Sequence, residues 1–378
     1  MISFSIEKNS SECSGRTGVL RTRRGEIQTP IFMPVGTHGV VKTLSPKELS
    51  DVGARIILAN TYHLFLRPGL STLDHFGGLH RMMSWNGPIL TDSGGFQAFS
   101  LKAINSISDS GIKFVSHLDG SSYELTPEES MRIQRTIGSE IIMCLDECTD
   151  YPATEEEART AMLRSVNWAQ RCRNDHPPNR NEQALFGIIQ GSTNLNLRFE
   201  SLERTLPIGF EGLAIGGLSV GEPKEEMIEI LDQIVEKIPS HLPRYLMGVG
   251  TPKDLFMGIE RGIDMFDCVM PTRIARHGSV YTQRGRIDIT ASRFKNCTEP
   301  LDSKCFCYAC QTFSRGYLRH LFQNKEMLGM RMASLHNLAF MLNLTNRIRK
   351  ALNEGKFLGF KKDFFEEYDS KEGVYARS

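Results

Sequence analysis

Runs of apolar residues recur along the chain, and each run ends in small or polar residues. They cover residues 30–37, 55–63, 88–95, 140–149, 184–192, 211–220, 244–252 and 264–273. Runs of this length are typical of buried strands. Several of the gaps between them have helical patterns, with Ser, Thr or Glu, often followed by Pro, at the entry. These predicted helices span 45–53, 126–138, 154–172, 222–238 and 251–263.

Strand alternating with helix predicts an α/β fold with a parallel sheet, and eight such strands favour a closed (β/α)8 TIM barrel. A doubly wound sheet is the alternative. It is disfavoured because no Gly-rich nucleotide-binding pattern follows the first strand.

Some segments do not fit the repeating unit. Residues 65–86 and 98–125 are too long and irregular for plain connections, so we interpret them as insertions in a barrel of residues 1–273. Residues 274–335 form a larger insertion after the eighth strand. The remainder, 336–378, comprises a closing helix over 337–352 and a C-terminal tail.

The composition is that of an ordinary globular protein, with 378 residues of which 40% are apolar and 24% charged. The first residues lack a basic region followed by an apolar run, and no stretch is apolar enough to span a bilayer. Nine cysteines, an odd number, argue against a disulfide framework and for reduced thiols. We therefore expect a soluble cytoplasmic protein.

The charge is unevenly distributed. The net charge is +1, yet residues 271–350 contain 14 Lys or Arg against 4 Asp or Glu. This surplus is either a solvated basic face or a surface for a polyanion such as nucleic acid.

Three of the cysteines lie within six positions, in the segment "SKCFCYACQTF". Cys305, Cys307 and Cys310, with His336 further on, supply the ligands of a tetrahedral Cys3His zinc site. His320 is a competing fourth ligand. Because four protein ligands leave no position for water, we expect one structural Zn²⁺ rather than a catalytic one.

In the barrel fold, active sites gather at the C-terminal ends of the strands. Three aspartates stand at predicted strand ends together with other polar residues and glycines. The set is Asp92, Asp146, Glu147, Gln190, Gly216, Gly217, Met247 and Asp267. Carboxylates and glycine amides converging on one mouth predict an active site there.

Several motifs together resemble the tRNA-guanine transglycosylase family. They are "TDSGGFQ", "LDECT", "LAIGGLSVGE", "YLMGVGTP", "MFDCVMPTR" and the C-x-C-x2-C…H pattern, and the resemblance covers about residues 15 to 350. It implies a (β/α)8 barrel with a zinc-bearing insertion. It also implies exchange of guanine at the anticodon wobble position of the tRNAs for Asp, Asn, His and Tyr, on the route to queuosine.

The resemblance assigns roles to the strand-end residues. Asp267 is implied as the nucleophile that holds the ribose covalently, and Asp92 as the general acid and base. Guanine has adjacent N1–H and N2–H donors, which suit the Asp146 carboxylate. Gln190 and the Gly217 amide are expected to meet the O6 edge of the base.

Four further residues are expected to contact the RNA. Phe96 and Met247 would sandwich the flipped base, although core packing accounts for them equally well. Arg273 and Arg276 follow the strand of Asp267, where they could bind the flanking phosphates. Their loop, "TRIARHG", is less polar than the family pattern at Ile274 and His277.

The inserted base is expected to be the small aminomethyl-deazaguanine preQ1. Cys148 and Val220 resemble the residues of the bacterial type of the family, and the Leu218 carbonyl, with Glu222 supporting its loop, would receive the aminomethyl group. The family also implies a homodimer. Two other interpretations remain. One is a zinc-dependent barrel hydrolase, which would need an H-x-H motif after the first strand, where only the isolated His38 is present. The other is a non-catalytic RNA-binding module with a zinc knuckle.

Overall fold

The computed structural model describes residues 2–96 and 105–370. Its strands are β1 Ser3–Asn9, β2 Arg16–Thr22, β3 Gly25–Thr29, β4 Ile31–Met33, β5 Val35–Gly36, β6 Ile57–Ala59, β7 Ile89–Thr91, β8 Asn105–Ser108, β9 Gly111–Val115, β10 Ser122–Leu125, β11 Ile141–Met143, β12 Ala184–Ile189, β13 Gly212–Ile215, β14 Arg244–Leu246, β15 Met265–Asp267, β16 Ser279–Thr282 and β17 Gly285–Asp288.

The α-helices in the same ranges are Pro46–Asp51, Thr61–Leu66, Leu70–Phe76, Leu79–Met83, Pro127–Ile137, Glu155–Asp175, Leu195–Thr205, Lys224–Ile234, Pro252–Glu260, Met270–Ala275, Tyr308–Thr312, Arg315–Gln323, Met327–Glu354 and Phe357–Tyr368. None of these helices is both long and apolar enough to cross a membrane.

The central sheet is a parallel barrel, with the strand order β4, β15, β14, β13, β12, β11, β7, β6, β5. Only Pro34 separates β4 from β5, so these are two halves of one strand. One half pairs with β15 and the other with β6, which closes the sheet on itself. The predicted (β/α)8 barrel is confirmed, and each of its strands lies within one of the apolar runs.

Helix entries follow the predicted chemistry. Ser45, Thr126 and Thr251 each cap a helix with the side-chain oxygen, and a proline occupies the next position. The helix predicted from residue 222 begins at Lys224 instead, with Pro223 at the N-cap position. Glu222 therefore stays outside the helix.

An antiparallel sheet of β1, β2 and β3, which the sequence did not predict, precedes the barrel. Arg16 pairs with buried Asp264 at 2.6 Å, and Arg23 with buried Glu140 at 2.9 Å. Asp264 and Glu140 directly precede β15 and β11. The sheet thus lies at the N-terminal ends of the barrel strands, opposite the C-terminal ends.

The two segments interpreted as insertions have regular structure. Short helices occupy much of 65–86, and β8, β9 and β10 form an antiparallel sheet in the second segment. The part of that segment at 98–104 lies outside the described residues, as does the chain after residue 370.

A long helix, Met327–Glu354, includes the closing helix predicted over 337–352 and begins ten residues earlier. Asn337 anchors it: its Nδ2 donates to the Pro271 carbonyl at 2.9 Å, and its Oδ1 accepts from the Tyr281 amide at 2.9 Å. The long helix therefore joins the segment after β15 to the β16–β17 hairpin.

Candidate active site and metal centre

Three carboxylates lie at the C-terminal ends of barrel strands. Asp92 directly follows β7, Asp146 follows β11 by three residues, and Asp267 is the last residue of β15. Asp146 and Asp267 are only 6% and 7% exposed. The charge of Asp267 contributes to raising the pKa of Asp92, so these two carboxylates are close enough to interact electrostatically. The three predicted acids thus stand at C-terminal ends of strands of the same barrel.

Asp92 is held mainly by the residues that begin the helix Thr61–Leu66. Its Oδ2 accepts from Nδ2 of Asn60 at 2.5 Å, and its Oδ1 accepts from the Thr61 amide at 2.9 Å and the Gly94 amide at 3.2 Å. Burial raises its pKa to about 7, and these hydrogen bonds and the charge of Asp267 have smaller effects. Asp92 is therefore able to donate or accept a proton near neutral pH.

Asp267 is held by two donors on one oxygen. Its Oδ1 accepts from the Tyr245 hydroxyl at 2.6 Å and from the Gly248 amide at 2.7 Å. Burial raises its pKa, while both hydrogen bonds lower it. Among residues 2–96 and 105–370, no donor to the second oxygen, Oδ2, is seen, which suits a nucleophile.

Asp146 and Gln190 form a buried pair. Gln190 Nε2 donates to Asp146 Oδ2 at 2.7 Å, and the Ser93 hydroxyl donates to Oδ1 at 2.8 Å. Burial raises the pKa of Asp146, while these two hydrogen bonds lower it. Gly217 has a φ of +63°, and a Cβ there would lie 2.3 Å from Gln190 Oε1, so another residue would be strained and would displace this amide.

The loop after Gly217 is fixed by Glu222. Its carboxylate accepts from the Ser219 amide at 2.5 Å and the Val220 amide at 2.9 Å. Leu218 is buried, Val220 is half-buried, and Cys148 is 4% exposed with its thiol donating to the Thr149 carbonyl at 3.4 Å.

Other strand-end residues differ in exposure. Phe96 is 50% exposed, next to Gly95, where a Cβ would lie 2.5 Å from the Asp146 carbonyl. Met247 is half-buried beside Gly248. Glu147 points elsewhere, because its carboxylate pairs with Arg164 at 2.5 Å.

The two arginines predicted to contact RNA lie just beyond β15. Arg273 is exposed, on the helix Met270–Ala275, and Arg276 follows that helix with Nη1 donating to the Thr272 carbonyl at 3.0 Å. Burial and the charge of Arg273 lower the pKa of Arg276. Ile274 is half-buried and His277 exposed.

The cysteine cluster comes together with His336. One ligand atom each from Cys305, Cys307, Cys310 and His336 lie within 4.8 Å of one another. His336 Nδ1 is 3.2 Å from the Cys310 sulfur, and Nε2 lies 2.6 Å from the Tyr281 carbonyl oxygen. That oxygen can only accept, so Nε2 carries the proton and Nδ1 keeps its lone pair for a metal.

The competing ligand is not in the cluster. His320 is exposed, and its Nδ1 accepts from Asn324 at 3.2 Å. Three thiols and one imidazole are the donor set of a four-coordinate structural metal ion. The site can therefore hold a metal, which would connect the 305–310 segment to the long helix.

A group of histidines borders the mouth. The rings of His38 and His63 are 4.6 Å apart, and those of His63 and His117 are 6.4 Å apart. Burial, with the neighbouring histidines and Lys42, lowers the pKa of His63 to about 4. Over the described ranges, the Cys3His cluster is the one group of three or more such ligands that could hold a metal, and these histidines are not part of it.

Sequence reasoning missed three residues that hold the site. Asn60 and Tyr245 contact the aspartates directly, as described above. Arg198 is fully buried and donates to the carbonyls of Gly216 at 2.7 Å and Gly217 at 3.2 Å. The site motifs include Tyr245 but give no indication that its hydroxyl contacts Asp267, and Arg198 lies in a helix that the pattern did not predict.

Comparison with known proteins gives a consistent result over nearly the whole chain. A family model described as queuine tRNA-ribosyltransferase matches residues 11–370. A protein of that name from Halothermothrix orenii is 50% identical over 373 residues, covering 99% of this chain and 100% of the relative. Another from Francisella tularensis subsp. novicida is 54% identical over 357 residues, covering 94% and 97%. A third, from Thermoanaerobacter, is 49% identical over 371 residues, covering 98% and 99%.

Proposed function

The chain belongs to the queuine tRNA-ribosyltransferase family, and from that premise we propose that it exchanges guanine at the wobble position of the tRNAs for Asp, Asn, His and Tyr for preQ1. It is a pentosyltransferase, a tRNA-guanine transglycosylase of queuosine synthesis. Because its substrate is tRNA, we infer that it works in the cytoplasm.

The observation that carries the proposal is the pair of aspartates at the C-terminal ends of β7 and β15, Asp92 and Asp267, which interact electrostatically. In the first displacement, an Asp267 oxygen forms a bond to ribose C1′ while the bond from C1′ to guanine breaks. The bonding electrons leave with the guanine, which takes a proton from Asp92. In the second, the incoming base returns its proton to Asp92, attacks C1′ and displaces Asp267. Two inversions restore the original configuration.

The base would be recognised by the buried pair beside these acids. Asp146 accepts from N1–H and N2–H, and Gln190 and the Gly217 amide meet O6. A carboxylate oxygen has two lone pairs, so the observed bonds from Ser93 and Gln190 leave room for the base. Phe96 and Met247 would sandwich the flipped base.

Selectivity for preQ1 is assigned to the loop after Gly217. The Leu218 carbonyl would accept from the aminomethyl ammonium, and Glu222 supports this by holding the amides of Ser219 and Val220. Cys148 and Val220 would limit the pocket to a small substituent.

The tRNA would be held by Arg273 and Arg276, which bind phosphates beside the reacting nucleotide. The basic surplus over 271–350 supports this assignment, because an RNA strand leaving the mouth along that segment would meet a positive surface.

We assign the metal of the Cys305, Cys307, Cys310 and His336 site as one structural Zn²⁺. Thiolates and imidazole are ligands that zinc prefers, and all four positions are filled by protein. The metal would take no part in the exchange and would stabilise the segment that presents the basic surface.

A homodimer is proposed through the 274–335 segment, which contains the three cysteines of the metal site. Phe306 is 83% exposed, Tyr308 59% and Met327 81%, which is unusual for large apolar side chains. A second copy of the chain would cover them. Light scattering of wild type and of Phe306→Ser is the direct check, and a monomeric wild type would remove this part of the proposal.

Trapping tests the proposed function. Wild-type protein mixed with tRNA and no incoming base should accumulate a denaturation-resistant protein–RNA adduct. Asp267→Asn should abolish the adduct and the exchange while tRNA still binds, because an amide is a far poorer nucleophile. The matched control is Glu147→Gln, which neutralises an acid at the same mouth that pairs with Arg164 and should leave the adduct intact.

The outcomes are distinct. An Asp267→Asn variant that still forms the adduct would move the nucleophile to another residue, Asp92 first. A wild type that exchanges labelled guanine but never forms an adduct would favour direct displacement by the incoming base. A wild type that neither exchanges nor releases guanine would leave a non-catalytic RNA-binding protein.

A further inference from the structure

Arg198 is a buried cation that contacts the loop at Gly216 and Gly217. Its side chain is fully buried, and it comes from the helix Leu195–Thr205, which follows β12. Burial lowers its pKa to about 10, so the guanidinium remains charged at neutral pH. In the described part of the chain, this guanidinium donates to backbone carbonyls. A buried charge is costly unless its interactions are specific, so this one calls for an explanation.

Arg198 makes four hydrogen bonds that fix this loop and the end of β12. Nε donates to the Ser192 carbonyl at 2.8 Å, and Nη1 donates to those of Ile189 at 2.8 Å and Gly216 at 2.7 Å. Nη2 donates to the Gly217 carbonyl at 3.2 Å. Two consecutive peptide units, 216–217 and 217–218, are thus held by their oxygens.

Peptide geometry then sets the direction of the amides. In a trans peptide, C=O and N–H point in opposite directions. With the carbonyls of Gly216 and Gly217 directed at Arg198, the N–H groups of Gly217 and Leu218 point away from it. Gln190 Oε1 lies against Gly217, so this part of the loop borders the buried Asp146–Gln190 pair.

We propose that Arg198 is a positioning residue that aims the Gly217 N–H at O6 of the departing and incoming base, and that its charge stabilises negative charge developing on that oxygen. The inference rests on the proposed function and deepens it. As the C1′–N bond breaks, the bonding electrons move onto the base, and part of this charge reaches O6. A cation bound to the carbonyl of the same peptide strengthens the N–H as a donor.

The test compares guanine with 6-thioguanine in wild type and Arg198→Met. Thioguanine keeps N1–H and the 2-amino group that Asp146 would bind, but its sulfur is a weak acceptor. Methionine keeps much of the apolar length and removes the charge and the donors. We expect Arg198→Met to weaken guanine binding about tenfold and 6-thioguanine binding by much less, because the interaction that is removed acts on O6.

The exchange rate gives a second readout. Arg198→Met should lower kcat for guanine exchange more than it raises KM for tRNA, because the stabilised charge exists only as the bond breaks. Affinity for tRNA and metal content should stay at wild-type levels. Equal weakening of both bases with an unchanged kcat would overturn the inference and leave Arg198 as structural support.

A matched control is Arg244→Met. Arg244 is also a buried arginine that donates to backbone carbonyls, those of Ile238 and Gly262, but it begins β14 at the opposite end of the barrel. Its removal should lower the thermal midpoint without changing the ratio of guanine to 6-thioguanine affinity. A changed ratio in this control would also overturn the inference.

If Arg198→Met does not fold, Arg198→Lys carries the test. Lysine keeps the charge but cannot hold both carbonyls with a planar fork, so the preference for guanine over 6-thioguanine should fall. An unchanged preference in a folded Arg198→Lys variant would contradict the positioning role. Failure of the wild type to exchange guanine would instead contradict the proposed function, so the two failures are distinguishable.

Discussion

The hydroxyl of Tyr245 donates to Oδ1 of Asp267 at 2.6 Å across the neighbouring strands β14 and β15. Tyr245 pairs with Met265 in the sheet register, two residues before Asp267, so its ring reaches along the strand to the carboxylate. Burial raises the pKa of Tyr245 well above its usual value, which keeps the hydroxyl protonated and able to donate. The aspartate is thereby held in one orientation.

Tyr245→Phe should slow adduct formation by on the order of tenfold near pH 6, the worth of one hydrogen bond to a charged group. The bond from Tyr245 lowers the pKa of Asp267, so removing it raises that pKa. The acid limb of the pH profile should move to higher pH. Single-turnover rates between about pH 5 and 8 check this, and an unmoved limb would contradict it.

Adduct formation should depend on the protonated form of Asp92. Its pKa is raised to about 7, so the acid form is present below pH 7 and is lost as the pH rises above it. The rate should fall about tenfold for each pH unit above 7. Rapid-quench measurement of guanine release over roughly pH 6 to 9 tests this, and a rate that keeps rising across that whole range would remove Asp92 as the acid.

Cys310→Ser should lose the metal and several kcal/mol of stability, because the binding free energy of a structural metal is folding free energy. His320→Ala is the control and should keep both metal and stability, since that histidine is exposed outside the cluster. Metal analysis and thermal melts report the result. One bound zinc and an unchanged melt in Cys310→Ser would refute the ligand assignment.

Neutralising Arg273 and Arg276 should flatten the salt dependence of tRNA binding, by roughly one unit of slope for each phosphate that is no longer bound. Lys237→Ala, at an exposed lysine near the opposite end of the barrel, should leave the slope unchanged. Titrations at roughly 50 to 300 mM salt measure it. Equal slopes in both variants would place the RNA on another surface.

The barrel could be predicted from sequence because strand, helix and cap signals agreed. The entry at Thr251, for example, combines a capping hydroxyl with Pro252, and the helix starts there. The antiparallel sheet β1–β3 was missed because its strands are rich in polar and exposed residues, and its position depends on distant ion pairs such as Arg16 with Asp264.

The acids of the site were predictable for a related reason. Asp92 and Asp267 stand at ends of parallel strands, and the barrel brings all such ends to one face. The residues that hold these two aspartates in place could not be predicted. Tyr245 reaches Asp267 only through the strand register, and Arg198 reaches Gly217 only through packing of its helix against β12, which no local pattern encodes.

The fourth ligand of the cysteine cluster has a consequence for synthesis of the chain. His336 is 26 residues beyond Cys310 and lies within the long helix. During translation the three thiols leave the ribosome first, and the imidazole follows only when much of that helix has emerged. A complete coordination shell could therefore form only after all the barrel strands have been made, once the long helix brings His336 to the three thiols.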